Sequence, residues 1–318
     1  MKLGTIVILL LFGVISCSAC GEKTQESKSQ DQEGDYSIIE ESQAGIEAET
    51  EDLTEADTPI LLEMPSFQYY VSDKIEKKEN VPLQLNLVTE TTNAITDEEA
   101  WFADNELSLP TYEVPNSFQN MPGNLPEGIA EQSGDLIITS VFYDDDFIYC
   151  IYGADFSQGY ILKIYDAVSL KIKYFFDFSN YCYSPEYVES DYDFIQQRIT
   201  WAAIKDNILY ISSGHNTYAQ SSNGMNAYLT AIDLSDHSVL WRSNPLVSNA
   251  QNFQIVNDVI LCGYGFTDEA DYLYQIALSD GKVLDKIPLK SAASFIIQKG
   301  KELYVRTYNK NYIFEIIS

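Results

Sequence analysis

Tyr228-Leu229-Thr230-Ala231-Ile232-Asp233-Leu234-Ser235-Asp236-His237-Ser238-Val239-Leu240-Trp241 decides the fold. Apolar and polar side chains alternate, a polar turn follows, and a second apolar run ends on tryptophan. This is the pattern of a β-hairpin. It returns at Tyr272-Leu273-Tyr274-Gln275-Ile276-Ala277-Leu278-Ser279-Asp280-Gly281-Lys282-Val283-Leu284-Asp285, with Leu-Ser-Asp and Val-Leu in the same register. A recurring hairpin points to radial or solenoid repetition.

Working outward, Tyr-(Ile or Leu)-x-x-Ile occurs four times after Gly134, beginning at Tyr160, Tyr228, Tyr272 and Tyr312, with spacings of 68, 44 and 40 residues. An apolar strand precedes each one, at 147–152, 208–212, 259–263 and 303–308, entered from a tight turn such as Asp206-Asn207 or Lys299-Gly300. Inner strands are predicted at 136–141, 198–203, 252–256 and 295–298, and outer strands at 172–178, 238–242 and 282–287. Four antiparallel strands per repeat of about 40–50 residues is the signature of propeller blades. The expected fold is therefore all-β, a β-propeller of four-stranded antiparallel blades over 134–318, with four recognisable units and room for a degenerate fifth earlier. The last unit stops at Ser318 without an outer strand. Closure predicts that residues 82–88 or 67–71 supply it, which also removes an exposed edge.

Within the deciding stretch, Ala231, Asp233 and Trp241 resemble the tryptophan-docking repeat of the quinoprotein (PQQ-like) propellers, Ala-x-Asp-x-x-Thr-Gly-x-x-x-Trp. Asp236 and His237 stand where that family has Thr and Gly. The next unit restores the glycine at Gly281 but has Asp285 in the tryptophan place, and the first unit keeps the spacing with Asp166 and Tyr174. Alignment on these two shifts Tyr160 by one residue, which calls for a bulge or a misalignment. The resemblance implies that Trp241 and Tyr174 pack between neighbouring blades. The quinoprotein dehydrogenases also use a calcium site with a catalytic aspartate, and no matching constellation is present here.

The 318 residues are 45% hydrophobic and 13% aromatic, enough for a sizeable core, and 23 tyrosines favour strands. A net charge of -29 with only 19 Lys and Arg excludes a nucleic-acid binder, which needs a basic stripe to release counterions. Met1-Lys2 followed by the apolar run 6–15 reads as an export signal, too short to span a membrane comfortably. Val14-Ile15-Ser16-Cys17 resembles a bacterial lipobox, so residues 1–16 are expected to be a lipoprotein signal peptide and Cys17 the lipidated residue, with Cys20 as the alternative. Residues 17–60 form an acidic tether expected to be disordered, since 21–60 carry 13 acidic against 2 basic side chains. Residues 61–133, rich in proline, are expected to be irregular. Inside them Thr96 and Glu99 form a capping box ahead of a short helix over Ala100-Trp101-Phe102.

Chemistry is sparse. Asp144-Asp145-Asp146 falls at a hairpin turn, where solvated acids are common. Asp268-Glu269-Ala270-Asp271 spells a helicase box with no phosphate loop to accompany it. Two histidines, His215 and His237, cannot build a multi-histidine site, and Cys150, Cys182 and Cys262 are expected to be free buried thiols. No cofactor, metal or catalytic residue is assigned. The useful clue is geometric: in a propeller, the loop between the second and third strands and the link to the next blade open on one face. The two longest insertions, 179–197 and 212–226, are one of each and are expected side by side. Their Tyr181, Tyr183, Tyr187, Asp191, Asp193, His215 and Tyr218 form the candidate binding rim, since tyrosines provide contact area at low entropic cost.

The expectation is a lipid-anchored protein on the extracytoplasmic face of a bacterial membrane. It would bind or scaffold an envelope protein or surface ligand, as propeller lipoproteins that help assemble other envelope proteins do, without catalysis. The alternative is a propeller-type envelope enzyme, a hydrolase or sugar-processing protein, with acids on the insertion face. Convergent carboxylates in a central funnel would mark the enzyme, an aromatic rim and a blocked centre the scaffold.

Overall fold

The computed structural model describes residues 58–76, 78–188, 196–217, 220–267 and 269–317. The signal segment, both candidate lipidation cysteines and nearly all of the tether lie outside them. Ahead of the repeats the chain forms β1 (Ile60–Leu61), β2 (Tyr70–Val71), β3 (Gln84–Thr92), helix α1 (Glu98–Asp104), β4 (Thr111–Tyr112) and β5 (Gln132–Ser133). The first blade is β6 (Leu136–Tyr143), β7 (Phe147–Gly153), β8 (Ile161–Asp166) and β9 (Ile172–Asp177). The second is β10 (Arg198–Lys205), β11 (Ile208–Gly214), β12 (Tyr228–Asp233) and β13 (Val239–Arg242). β14 (Gln254–Val256), β15 (Val259–Tyr264), β16 (Tyr272–Ala277) and β17 (Val283–Pro288) make the third. The fourth contains β18 (Ala293–Lys299), β19 (Glu302–Thr307) and β20 (Lys310–Ile317), and its outer strand is β3, antiparallel to β20. The protein is thus an all-β propeller of four-stranded antiparallel blades, with the last blade completed from the N-terminal side.

Blade strands carry near-continuous apolar runs because both faces are covered. On β7, Tyr149 and Ile151 pack toward the second blade, while Ile148, Cys150 and Tyr152 pack the other way. The second blade lies between the first and third, and Leu303 and Val305 of β19 seal the third against the fourth. The two terminal faces are closed by the region before Gly134. Tyr112, Val114 and Ile129 cover the first blade, and Trp101 and Phe102 of α1 cover Phe295, Ile297 and Tyr304 of the fourth. That region adds no further four-stranded sheet among the described residues, so the room for a fifth blade is used as covering.

Residues 58–92 run as a belt along the outer ends of the blades, in order. β1 pairs in parallel with β9, and Leu62 drops into the core between the first and second blades. β2 adds to β13 of the second blade, which is where the alternative closing segment 67–71 goes. The Tyr69 hydroxyl donates to the Asp280 carbonyl of the third blade at 3.1 Å. Further along, Leu83 N–H donates to Gln275 Oε1 at 2.7 Å and Gln275 Nε2 donates to the Leu83 carbonyl at 3.1 Å. This buried amide takes the place of a neighbouring strand, satisfying polar groups that would otherwise be costly. The belt then becomes β3.

The turn between third and fourth strands repeats one backbone state. Leu170, His237 and Gly281 take φ of 55, 61 and 72°, and a bulge follows the turn in each of the three blades. His237 therefore holds the left-handed position that glycine holds one blade later. Trp241 is 1% exposed, and its indole Nε1 donates to the Leu278 carbonyl of the next blade at 3.1 Å. A Cβ on Gly281 would lie 2.4 Å from the indole, so glycine is required there by space as well as by φ. Tyr174 is half-buried against the core shared by the first two blades.

Two sequence readings are corrected. Tyr228 and Tyr272 begin their strands, but Tyr160 precedes β8 and Tyr312 is the third residue of β20, so the four tyrosine matches are not equivalent. The bulge is common to three blades and does not account for the Tyr160 offset; the hydrogen-bond register does. The helix forms where expected, yet its Thr96–Glu99 box does not, because residues 95–97 are wound into a 3-10 turn. Asp97 acts instead, its carboxylate accepting from Ala94 N–H at 2.9 Å and from Arg306 at 2.6 Å. Cys150, Cys182 and Cys262 are free and buried, and burial pushes the Cys150 and Cys182 thiols up to about 12, away from the reactive thiolate.

Candidate functional site

The two long insertions meet on one face. Asn223 Nδ2 donates to the Glu186 carboxylate at 2.9 Å, Val188 N–H to Ser221 Oγ at 3.3 Å, and Gln197 Nε2 to the Met225 carbonyl at 2.9 Å. Tyr183 and Tyr187 stack, ring centroids 5.1 Å apart, with Tyr183 47% exposed. Tyr181 does not reach that surface. It is 3% exposed and packs edge-on against Phe178 in the core between the first and second blades. Asp191, Asp193 and Tyr218 lie outside the described residues.

The base of the 212–226 insertion is closed by Asn226. Its Oδ1 accepts from His215 N–H at 2.8 Å and its Nδ2 donates to the His215 carbonyl at 2.8 Å, a two-point clamp that stands in for a strand pair. Gly214 packs tightly beside it, since a Cβ there would lie 3.0 Å from Ala227 Cα. The next interblade link is tied to the same clamp, Leu246 N–H donating to the Asn226 carbonyl at 2.8 Å.

Between this insertion and the corresponding loop of the third blade lies a cavity of about 260 Å³. His215, Gln220 and Ser222 line it from the second blade and Tyr264, Phe266 and Glu269 from the third, with Leu246 at the link. His215 is 7% exposed, and its Nδ1 lies 3.1 Å from Thr217 Oγ1. The Tyr264 hydroxyl donates to Glu269 Oε2. Burial, with the Glu269 carboxylate adding to it, raises the Tyr264 phenol above its ordinary value, so it stays a donor. His215 belonged to the rim named from sequence, whereas Tyr264, Phe266 and Glu269 did not. Glu269 sat in a tetrapeptide set aside as a chance match. The available signal was that a propeller brings equivalent loops of adjacent blades together.

Where the inner strands of the first three blades converge, a second cavity of about 390 Å³ is lined by Phe142, Tyr149, Trp201 and Phe253 together with Pro110. Trp201 stacks on Phe142 at 4.3 Å. Asp144 reaches this cavity, but its carboxylate already accepts from Tyr149 OH at 2.7 Å and from the Asp146 and Phe147 N–H groups at 2.9 and 2.8 Å. β4 is hydrogen-bonded to the inner strand β6, narrowing the centre further. The lining is thus mainly aromatic, and the Asp144 carboxylate at its edge is already hydrogen-bonded.

Beneath the rim, Arg242 is fully buried. Its guanidinium lies 3.5 Å over the Tyr228 ring and 4.9 Å from Phe67, and NH1 donates to the Ser66 carbonyl at 3.0 Å. Burial lowers it to about 10. Among the described residues no carboxylate pairs with it, so it serves to hold the belt against the second blade.

No protein-family model matches the chain, and no curated protein sequence matches it. Among solved structures it is similar to the computationally designed Ika4 protein at 12% identity, over 61% of this chain and 100% of that one, with a TM-score of 0.37. It is also similar to BamB from Moraxella catarrhalis at 10% identity, over 54% of this chain and 56% of BamB, TM-score 0.29. A third is the dihydro-heme d1 dehydrogenase NirN, at 8% identity over 63% of this chain and 38% of NirN, TM-score 0.35. The chain thus spans little more than half the length of BamB and less than half that of NirN. The fold assignment rests on the strand pairing itself.

Proposed function

We propose that this chain is a lipid-anchored, extracytoplasmic β-propeller of the PQQ-like kind that binds a partner or surface ligand through its loop-bearing face, without catalysing a reaction. The observation that carries it is the joining of the two longest insertions, with a stacked tyrosine pair and, at the next blade seam, an open cavity lined by both polar and apolar side chains. Rigid aromatic area beside a lined cavity is what recognition needs. Anchoring rests on the lipobox-like Val14-Ile15-Ser16-Cys17 and on an acidic tether long enough to hold the propeller off a surface. A glycosidase reading requires two carboxylates flanking one bond, and Glu269 is the one carboxylate lining the cavity among the described residues.

The test is recovery of ligands from envelope fractions on the full-length protein and on forms with Tyr183 and Tyr187 both changed to Ala or with 183–192 shortened. Loss of a reproducible ligand in both forms is the expected result. Equal recovery by all three removes the face from the proposal. Mass spectrometry of the mature N-terminus checks the anchor, which should sit on Cys17 or, failing that, on Cys20.

A further inference from the structure

Resting on the reading of this face as a binding face, we infer that the cavity between the second and third blades takes an uncharged polyhydroxylated group, one saccharide ring of a glycan. Its volume of about 260 Å³ falls just below the range of drug-sized pockets, roughly 300–1,000 Å³, so the occupant is a single small ring.

The wall chemistry selects among small occupants. An anion is disfavoured because, among the described residues, no Lys or Arg lines the cavity and Glu269 does. A full cation needs close compensation, and among the described lining residues the single carboxylate already has Oε2 committed to the Tyr264 hydroxyl. What remains is a surface of mixed donors and acceptors, with His215, Ser222 and Tyr264 all buried, the Gln220 carboxamide beside them, and an apolar patch made by Leu246 and Phe266. A pyranose has that same duality, an apolar C–H face and an edge of hydroxyls that both donate and accept. Glu269 Oε1 is available to accept from a ring hydroxyl, held in place through the Tyr264 bond to its other oxygen. The Asn226 clamp fixes the cavity before any ligand arrives, which lowers the ordering cost of binding.

The experiment is saturation-transfer NMR on the full-length protein, using methyl glucoside, methyl galactoside and N-acetylglucosamine separately, with Nα-acetyl-lysine amide and inorganic phosphate as the charged probes. At least one neutral sugar should bind at about 1–10 mM, a range normal for a single small ring. Transfer should be strongest to its C–H protons, and Phe266→Ala and Glu269→Gln should each weaken it about 10-fold or more. Glu269 is exposed, so its variant tests the site without testing folding. Binding of the lysine amide or of phosphate in place of every sugar, or of no probe, overturns the inference. Sugar binding that survives Glu269→Gln and Phe266→Ala undiminished overturns it as well. If the sugars fail while the Tyr183 and Tyr187 variant still loses its envelope ligand, the ligand class is wrong and the face stands. If sugars bind while that variant loses nothing, the cavity stands and the wider face does not.

Discussion

Trp241 owes its place to what the next blade leaves open for it. The indole lies where a Cβ at position 281 would be, at 2.4 Å, and position 281 has φ of 72°. Gly281→Ala should therefore cost about 3 kcal/mol, from overpacking together with left-handed strain, read as a lowered urea midpoint and a changed Trp241 emission. Arg242 makes the opposite case. A buried guanidinium with no carboxylate partner among the described residues gains from the Tyr228 and Phe67 rings but bears the cost of desolvation. Arg242→Met keeps volume over Tyr228 and removes the charge, so it should unfold within about 1 kcal/mol of the parent, whereas Arg242→Ala leaves a cavity and should lose about 3 kcal/mol. Equal losses in the two variants would mean that the charge itself holds the belt.

α1 is only seven residues long and owes its position to Asp97 and Trp101. The Asp97 carboxyl is held below its ordinary value of 3.8, first by the Ala94 N–H and then by Arg306. A lowered acid contributes stability that is complete above the unfolded value and is lost as pH falls through the folded one. The difference in thermal midpoint between the parent and Asp97→Asn should accordingly be present at pH 6 and vanish below the folded value. A difference unchanged down to pH 2 would mean that Asp97 stays ionised or contributes nothing. Among the strands, edges are managed individually: β9 and β13 are covered by β1 and β2, and β3 carries a bulge at Val88. β17 ends at Pro288 and exposes Asp285 and Lys286.

For the whole molecule, the belt ties the blades together. It touches all four blades in sequence and fills their outer seams with Leu62, Tyr70, Leu83 and Leu85. A chain beginning at residue 93 lacks β3 and every seam contact of the belt, and should lose cooperative unfolding by circular dichroism. Retained cooperativity would show that the blades need no belt. The belt's path was only partly legible in the sequence, because a two-residue strand such as β1 carries no periodicity, the 67–71 segment did not show which blade it joins, and a side chain that substitutes for a strand, Gln275, has no local signature. The closing strand was legible, since Leu83, Leu85 and Leu87 alternate over a long enough run.

What the amino-acid order determined alone was the blade: hairpins with apolar runs, turns at Asp206-Asn207 or Asn257-Asp258, and a glycine or its left-handed substitute beside the docking aromatic. These are local preferences, satisfied within a few residues by backbone sterics and by alternation of side chains. Only the tertiary structure decided which side chains face one another across a seam. His215 and Glu269 are more than fifty positions apart, and they share a cavity because adjacent blades present equivalent loops at the same height. Tyr181, read as rim, sinks into the core, since the link that carries it must cross between two blades and bury whichever ring faces inward.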